Sequence, residues 1–581
     1  MKKNNILYRF IPHIIAAIFI FIITLININQ FNMLVILNDE FGYWSNADLL
    51  VNRNWVDLAK ETPYYSIGYS FILVPVLFFC KNYKMAYHTA LVLNSVLLVV
   101  DYFCAYYIVS TKNKTSKNFT GELISVFESL AVVLLVCNIF YSNTAWCEIF
   151  LMSVVWIIAA LFFSLEQKFK TYKLVILCGL VIYSYIIHQR AIGVVIAFAI
   201  VLAALLITKK KYWHLIAIVL TVGLAVFLQT QLKGLQNDLI QNMRSNQLND
   251  YTLSTNLVSK KLKFVLQIKD FLVSFAGKIY ILFVCSLGVY AVGLKVYFTK
   301  ISKLVRKKQV HFFLSESFFA LMIVCMVGLN TLQCIYSGER KDVIVYTRYM
   351  EFVFGPFMLV SLDYFVREIK QNLKWIVVSF LGLVPLTFVV LKLFLYANGS
   401  FNNPCSPFVA SLVEFYAKDY NKVCLTIIIM LLVFLFICSV FSKKRFQKIA
   451  PMVICSSFIF INVYLSTFVN DWLAAIQTKF YDRVAPIAEI INKDYDNKPI
   501  YFITDNEKFE YSINAKYLQF VLYERPIIVV DSYGQINYEG EYFLLTNPRR
   551  YEVLESQGLE YETTTPSLNL YIVEGRARGN K

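Results

Sequence analysis

LNDEFGYWSNADLLVNRNWVDLAKETPYYSIGY, Leu37 to Tyr69, follows directly on an apolar run, Phe10 to Ile36, that is long enough to cross a bilayer. Asp39 and Glu40 therefore stand where a first crossing leaves the hydrocarbon. A carboxylate beside lipid is costly unless a charged or hydroxylic group comes to meet it. Two readings stay open for the pair: a reactive site, or an acidic cap on a helix end in the headgroup layer. Tyr43, Trp44 and Trp55 can stack on a sugar ring as well as anchor at the interface. Pro63-Tyr64-Tyr65 with Gly68-Tyr69 then opens a second, shorter apolar run. The whole connection, 37–84, is expected to be a reactive outer loop.

Working outward, the chain of 581 residues is 58% hydrophobic, 16% aromatic and only 16% charged, which places it among polytopic membrane proteins and excludes a water-soluble fold. The net charge of +17 does not point to nucleic acid. Most Lys and Arg lie in short clusters between apolar runs, the pattern of cytoplasmic loops facing anionic lipid. The N-terminus, MKKNNILYRF, begins like a signal peptide, but the apolar part is too long and no small-residue cleavage site follows, so an uncleaved first helix is expected. Nearly all twelve Cys fall inside the apolar segments and none lies in the polar C-terminal part; with no CxxC or Cys/His spacing, neither a disulfide framework nor a structural zinc site is expected.

Hydropathy and charge together predict thirteen transmembrane helices, at about 10–36, 85–110, 122–140, 146–165, 172–188, 191–208, 212–231, 271–298, 312–336, 350–365, 374–397, 422–441 and 450–469. Ser66 to Cys80 is strongly apolar but too short for a straight crossing. Reading 66–80 as re-entrant or interfacial leaves the Lys/Arg clusters around 112–117, 168–173, 209–211, 300–308, 367–374 and 443–448 all on the N-terminal side, as the positive-inside rule asks. The N-terminus is then cytoplasmic, and the Asp39-Glu40 loop and the C-terminal segment are extracytoplasmic. Lys233 to Asp270 also falls outside, either as a passive solvated loop or as a flap with an amphipathic helix at Asn256 to Asp270. Residues 1–469 make the membrane domain. In 470–581, β-like runs at 499–504, 526–530, 541–545 and 568–573 alternate with helical stretches at 511–523 and 548–557, predicting a small α/β domain.

Under this topology charged residues of both signs converge near the outer interface. Glu148, in SNTAWCEIF, opens the fourth helix, where either a partner or the helix dipole must stabilise it. Arg190, in YIIHQRAIG, lies between two apolar runs with almost no loop; it can grip a lipid phosphate with its forked donors or snorkel to headgroups. His188 reads as a polar spacer. In YSGERKDVIVYTRYMEFVFGP, Tyr336 to Pro356, Arg340 and Arg348 are the cations suited to stabilise a departing phosphate, the competing account being ordinary loop charge.

This layout resembles the GT-C glycosyltransferases, in particular the branch containing protein O-mannosyltransferases and lipid A aminoarabinose transferases. The points of likeness are Asp39-Glu40 ending the first helix, the Pro-containing segment 63–80, Glu148 in the second outer loop, Arg190 opening a helix, the Arg/Tyr-rich loop 340–349 and the C-terminal domain. The resemblance implies inverting transfer of a sugar from a polyprenyl-phosphate donor to an extracytoplasmic acceptor, a cell-envelope glycan, lipid or protein. It makes Asp39 the general base, with Glu40 and Glu148 positioning the acceptor or a divalent cation; metal use varies across the family. The usual paired prolines are replaced by Pro63-Tyr64-Tyr65, which bears on the acceptor side. Rival readings are a transporter or flippase of a lipid-linked sugar, an O-antigen-type polymerase or ligase leaning on outer-loop arginines, and a non-catalytic assembly protein.

Overall fold

The computed structural model describes residues 4–35, 37–51, 53–114, 119–240, 268–307, 313–334, 341–395, 406–494, 496–504, 512–547, 561–565 and 568–574. Arg340, the helical stretch expected at 548–557 and residues 256–267 of the expected flap lie outside these.

The membrane part is a helical bundle. Its helices are α1 Asn4–Leu25, then α2 Leu37–Val51, α3 Val56–Lys60 and α4 Ser70–Phe79 in the first connection, and α5 Tyr83–Asn113. They continue as α6 Phe119–Val133, α7 Val136–Ser142, α8 Cys147–Gln167, α9 Thr171–Ile187, α10 Ile192–Thr208, α11 Ile216–Ile240, α12 Ile268–Cys285 and α13 Val289–Lys307. The last set is α14 Leu314–Gln333, α15 Phe354–Arg367, α16 Ile369–Thr387, α17 Pro407–Phe415, α18 Tyr420–Phe441 and α19 Ala450–Asp482. Among the described residues nine helical stretches are long and apolar enough to cross a membrane, and eleven if each of two bent pairs counts as one. The chain is a multi-pass membrane protein. The other two expected crossings are helical but short: α9 has 17 residues and α15 has 14.

The bends have local causes. Between α6 and α7, at 64°, the Asn138 side-chain amide donates to the carbonyls of Val132 and Val133 that the break leaves open, and the Asn462 side chain accepts from Val136 N–H. Between α12 and α13, at 105°, Gly288 takes φ +84°, and a Cβ there would meet Ser379 at 2.8 Å.

Several expected helix ends move, among them those of the first and last crossings. The first crossing stops at Leu25 and not at 36, because the asparagine-rich stretch that follows prefers turns; Asn32 Nδ2 donates to Asn29 O beside a short 3-10 turn, Ile28–Gln30. The last crossing runs past 469 to Asp482, one helix of 33 residues. The segment expected to be re-entrant or interfacial contains α4, ten residues and so about 15 Å long, too short to span. Ser70 Oγ ties it to α2 by donating to Tyr43 O at 2.9 Å.

Beyond α19 come α20 Ala485–Asn492, β1 Ile500–Ile503, α21 Ile513–Leu522, β2 Ile527–Val530, β3 Glu541–Thr546, β4 Tyr561–Thr564 and β5 Asn569–Glu574. The sheet order is β2-β1-β3-β5-β4, with β1 parallel to β2 and β3, and β3, β5 and β4 antiparallel. β1, α21 and β2 form a crossover unit, the usual way to join parallel neighbours.

Helix α21 fastens this domain to the first connection. Phe520 has four aromatic neighbours around it, Trp44 at 5.3 Å, Tyr83 at 6.0 Å, Tyr87 at 6.1 Å and Trp55 at 6.4 Å. Trp55 Nε1 donates to Tyr523 O (2.9 Å), Lys516 Nζ to Glu61 O (2.7 Å) and Tyr523 Oη to Cys80 O (3.1 Å).

Candidate active site

Asp39 and Glu40 occupy the first turn of α2, and Glu148 the first turn of α8, where the helix dipole favours a carboxylate. The two neighbours in sequence have different surroundings. Glu40 is fully buried and accepts from Ala145 N–H (2.7 Å), Tyr87 Oη (2.9 Å) and Val35 N–H, so it ties together the entry to α2, the start of α5 and the loop before α8. Asp39 instead faces the groups that the sequence reading placed at the outer interface. Its Oδ2 is 2.6 Å from Arg348 Nη1, and its Oδ1 accepts from the Tyr65 phenol. Gly42 makes that second contact possible, since a Cβ there would stand 2.1 Å from the Tyr65 ring.

Arg348 is the hinge pin of the cluster. Its Nε reaches Glu148 Oε1 at 2.8 Å, and its guanidinium carbon lies 3.5 Å over the Trp146 ring. Arg190 approaches the same Glu148 oxygen at 3.5 Å and stacks 3.3 Å over Tyr349. Two carboxylates and two guanidiniums from four distant parts of the chain thus form one neutral network, each arginine resting on an aromatic face. The loop carrying Arg348 is held from below: Glu351 accepts from Thr347 Oγ1 (2.7 Å) and the Tyr141 phenol, and Asn330 Nδ2 donates to Tyr346 O (2.7 Å).

Burial and neighbouring charges fix the forms of three of these groups. Burial alone would pull the Arg348 guanidinium down, but Glu148 and then Asp39 outweigh it and leave its pKa raised, so the cation persists. Burial, reinforced by Asp39, pushes the Tyr65 phenol up, which keeps it a donor to the carboxylate. His188 is held neutral by burial and by the two arginines, and its Nδ1 accepts from Arg190 N–H at 3.1 Å. Asp39 is the most open member, its side chain 20% exposed against 11% or less for Arg190, Arg348 and Glu148.

Tyr43 and Trp44, expected to stack on a sugar, are both buried. Tyr43 donates to Cys147 Sγ (2.8 Å) and packs edge-on against Tyr65 and Tyr69, while Trp44 packs under Phe520. The sequence reading missed Tyr65, Trp146 and Tyr349 as partners of the charged groups, although the last two stand within two residues of Glu148 and Arg348. Among the described residues no three His, Cys, Asp or Glu side chains converge as a metal site. Where Asp39 and Glu148 do come together, Arg348 already fills the place between them, so this donor set does not fit a resident divalent cation.

No protein-family model matches the sequence, and neither does any curated protein. Solved structures do match. The crystal structure of ArnT from Cupriavidus metallidurans bound to undecaprenyl phosphate aligns with a TM-score of 0.54 at 12% identity, covering 98% of each chain. The same protein in the apo state aligns at 0.53 and 12%, covering 97% of each. The likeness therefore takes in the membrane bundle and the sheet domain together, and the chain shares the fold of ArnT over nearly its full length.

Proposed function

We propose that this protein transfers a sugar from a polyprenyl-phosphate donor to an extracytoplasmic acceptor of the cell envelope. The observation that carries the reading is Arg348 held between Asp39 and Glu148, with Arg190 beside it. The fold shared with a protein crystallised on undecaprenyl phosphate supports the donor class. The Lys/Arg clusters between helices, at the ends of the crossings away from this network, support placing the site on the extracytoplasmic side.

In the reaction, Asp39 takes the proton from the acceptor hydroxyl as that oxygen bonds to the anomeric carbon from the face opposite the phosphate. The bond from that carbon to the phosphate oxygen breaks, and its electron pair leaves on the phosphate, which Arg348 and Arg190 stabilise. The configuration inverts. At rest Arg348 neutralises Asp39. A bound phosphate competes for the guanidinium and frees the carboxylate to act as base, so donor binding switches the base on. Glu148 holds both arginines in place, and Glu40 fixes the turn that presents Asp39.

The test is transfer of labelled sugar in vesicles supplied with polyprenyl-phosphate sugar. Asp39→Asn should lower the rate by about 10²- to 10⁴-fold while the protein still inserts and folds. Full activity in that variant removes Asp39 as the base.

A further inference from the structure

At the far end of the bundle from Asp39, a cavity of about 840 Å³ opens between the α15–α16 turn and the α18–α19 turn. Arg367, Lys370, Lys443 and Lys444 line it, against a single lining carboxylate, Glu368. These cations come from two chain segments more than seventy positions apart, and gathering like charges in one concavity costs free energy unless an anion joins them. Arg367 is anchored from behind by Asp363 and, at 3.8 Å, by the buried Glu128, yet its side chain remains 32% exposed, which fixes a cation in the wall while leaving it accessible. Val366, Phe441 and Pro451 supply an apolar wall to the same cavity. The helices whose ends form it, α16, α18 and α19, each contain a stretch able to cross a membrane, so the cavity lies at the depth where crossings end and headgroups begin.

We propose that this cavity binds the phosphate headgroup of an anionic membrane lipid from the leaflet opposite the candidate active site. The cations meet the phosphate, the apolar wall meets the first carbons of the acyl chains, and both requirements come together in an amphiphile and not in a free ion. The proposal is independent of the transfer reaction.

The test is native mass spectrometry of the full chain in detergent, titrated separately with phosphatidylglycerol, phosphatidylcholine and inorganic phosphate. Phosphatidylglycerol should be retained at concentrations at least about tenfold below the other two. The triple variant Lys370→Gln/Lys443→Gln/Lys444→Gln should lose that preference. A control with the same charge change, Lys209→Gln/Lys210→Gln/Lys211→Gln on the α10–α11 turn, should keep it. Should the first triple variant not fold, Lys443→Gln/Lys444→Gln on the exposed turn makes the same comparison. Equal loss in variant and control, or inorganic phosphate bound as tightly as the lipid, overturns the proposal.

Discussion

Two buried ion networks lie at opposite ends of the bundle, and α5 and α15 run from one to the other. At the far end Lys112 meets Asp363 (2.9 Å) and Glu316 (3.4 Å), Lys300 meets Glu316 (2.6 Å), and Arg367 pairs with Asp363. Asn113 Nδ2 adds a donor to Asp363 at 2.7 Å, and the Tyr364 phenol adds one to Glu316. Both of those acids are closed in by several donors, which suits stitching helix ends. Lys112 and Lys300 also share the Tyr364 ring face, as the near arginines share Trp146 and Tyr349; what differs at the near end is that both cations are arginines and one acid, Asp39, stays within reach of solvent. Burying charge costs free energy in both places; the near network also leaves a carboxylate, Asp39, open beside the guanidinium that a ligand would compete for.

The largest difference expected between the two follows from that. Arg348→Lys keeps the charge but loses the fork that spans Asp39 and Glu148, together with the stacking on Trp146. Transfer should fall about 10²- to 10³-fold in protein that still folds. Glu316→Gln at the far end should lower the thermal unfolding midpoint, at a cost of about 1–3 kcal/mol for the lost charge-assisted hydrogen bonds to half-buried cations, with the rate per folded molecule preserved. The comparison breaks if Glu316→Gln in folded protein loses transfer as deeply as Arg348→Lys. A smaller effect, about tenfold, is expected of Tyr65→Phe, which deletes one hydrogen bond to a charged group. Gly42→Ala should match or exceed it, because the new Cβ displaces the Tyr65 ring. Were Gly42→Ala as active as the parent, the Tyr65 contact would have no part in the reaction.

How much of this was legible in the residues depends on the kind of signal. The crossings show in hydropathy, and the strands β1, β2, β3 and β5 show as short β-branched and aromatic runs. β4, Tyr-Glu-Thr-Thr, was missed because its pattern comes from pairing with β5 and not from its own apolar content. Asp39, Glu148, Arg190 and Arg348 could be singled out because charge next to an apolar run is conspicuous. What distinguishes Asp39 from Glu40 could not be, since the step of about 100° between successive helix positions points the first at Arg348 and the second at the backbone of Val35 and Ala145. Trp44 has the same lesson: an aromatic near a polar loop reads as a stacking platform until α21, nearly 480 residues later, brings Phe520 over it.

That junction between the first connection and the sheet domain gives the smallest effect and the one with a sign to check. Asp48 is buried on α2, accepts from Trp55 N–H at 2.8 Å, and is pushed up to about 7 by burial against the opposing pull of that N–H and of Arg53. Lys516 on α21 is buried too and is pushed down to about 7, Glu61 opposing. Between pH about 4 and about 7 the unfolded chain has lost the Asp48 proton while the folded one keeps it, so stability falls as pH rises. Between about 7 and about 10 the unfolded chain keeps the Lys516 proton that the folded one has lost, so stability rises again. The two limbs meet in a trough near neutral pH, measurable as the unfolding midpoint of the full chain in detergent across that range. Asp48→Asn should flatten the acid limb alone and Lys516→Met the alkaline limb alone. A midpoint that peaks near neutrality and ignores both substitutions would mean that neither group is held in its neutral form, and that the junction is wetter than its packing around Phe520 requires.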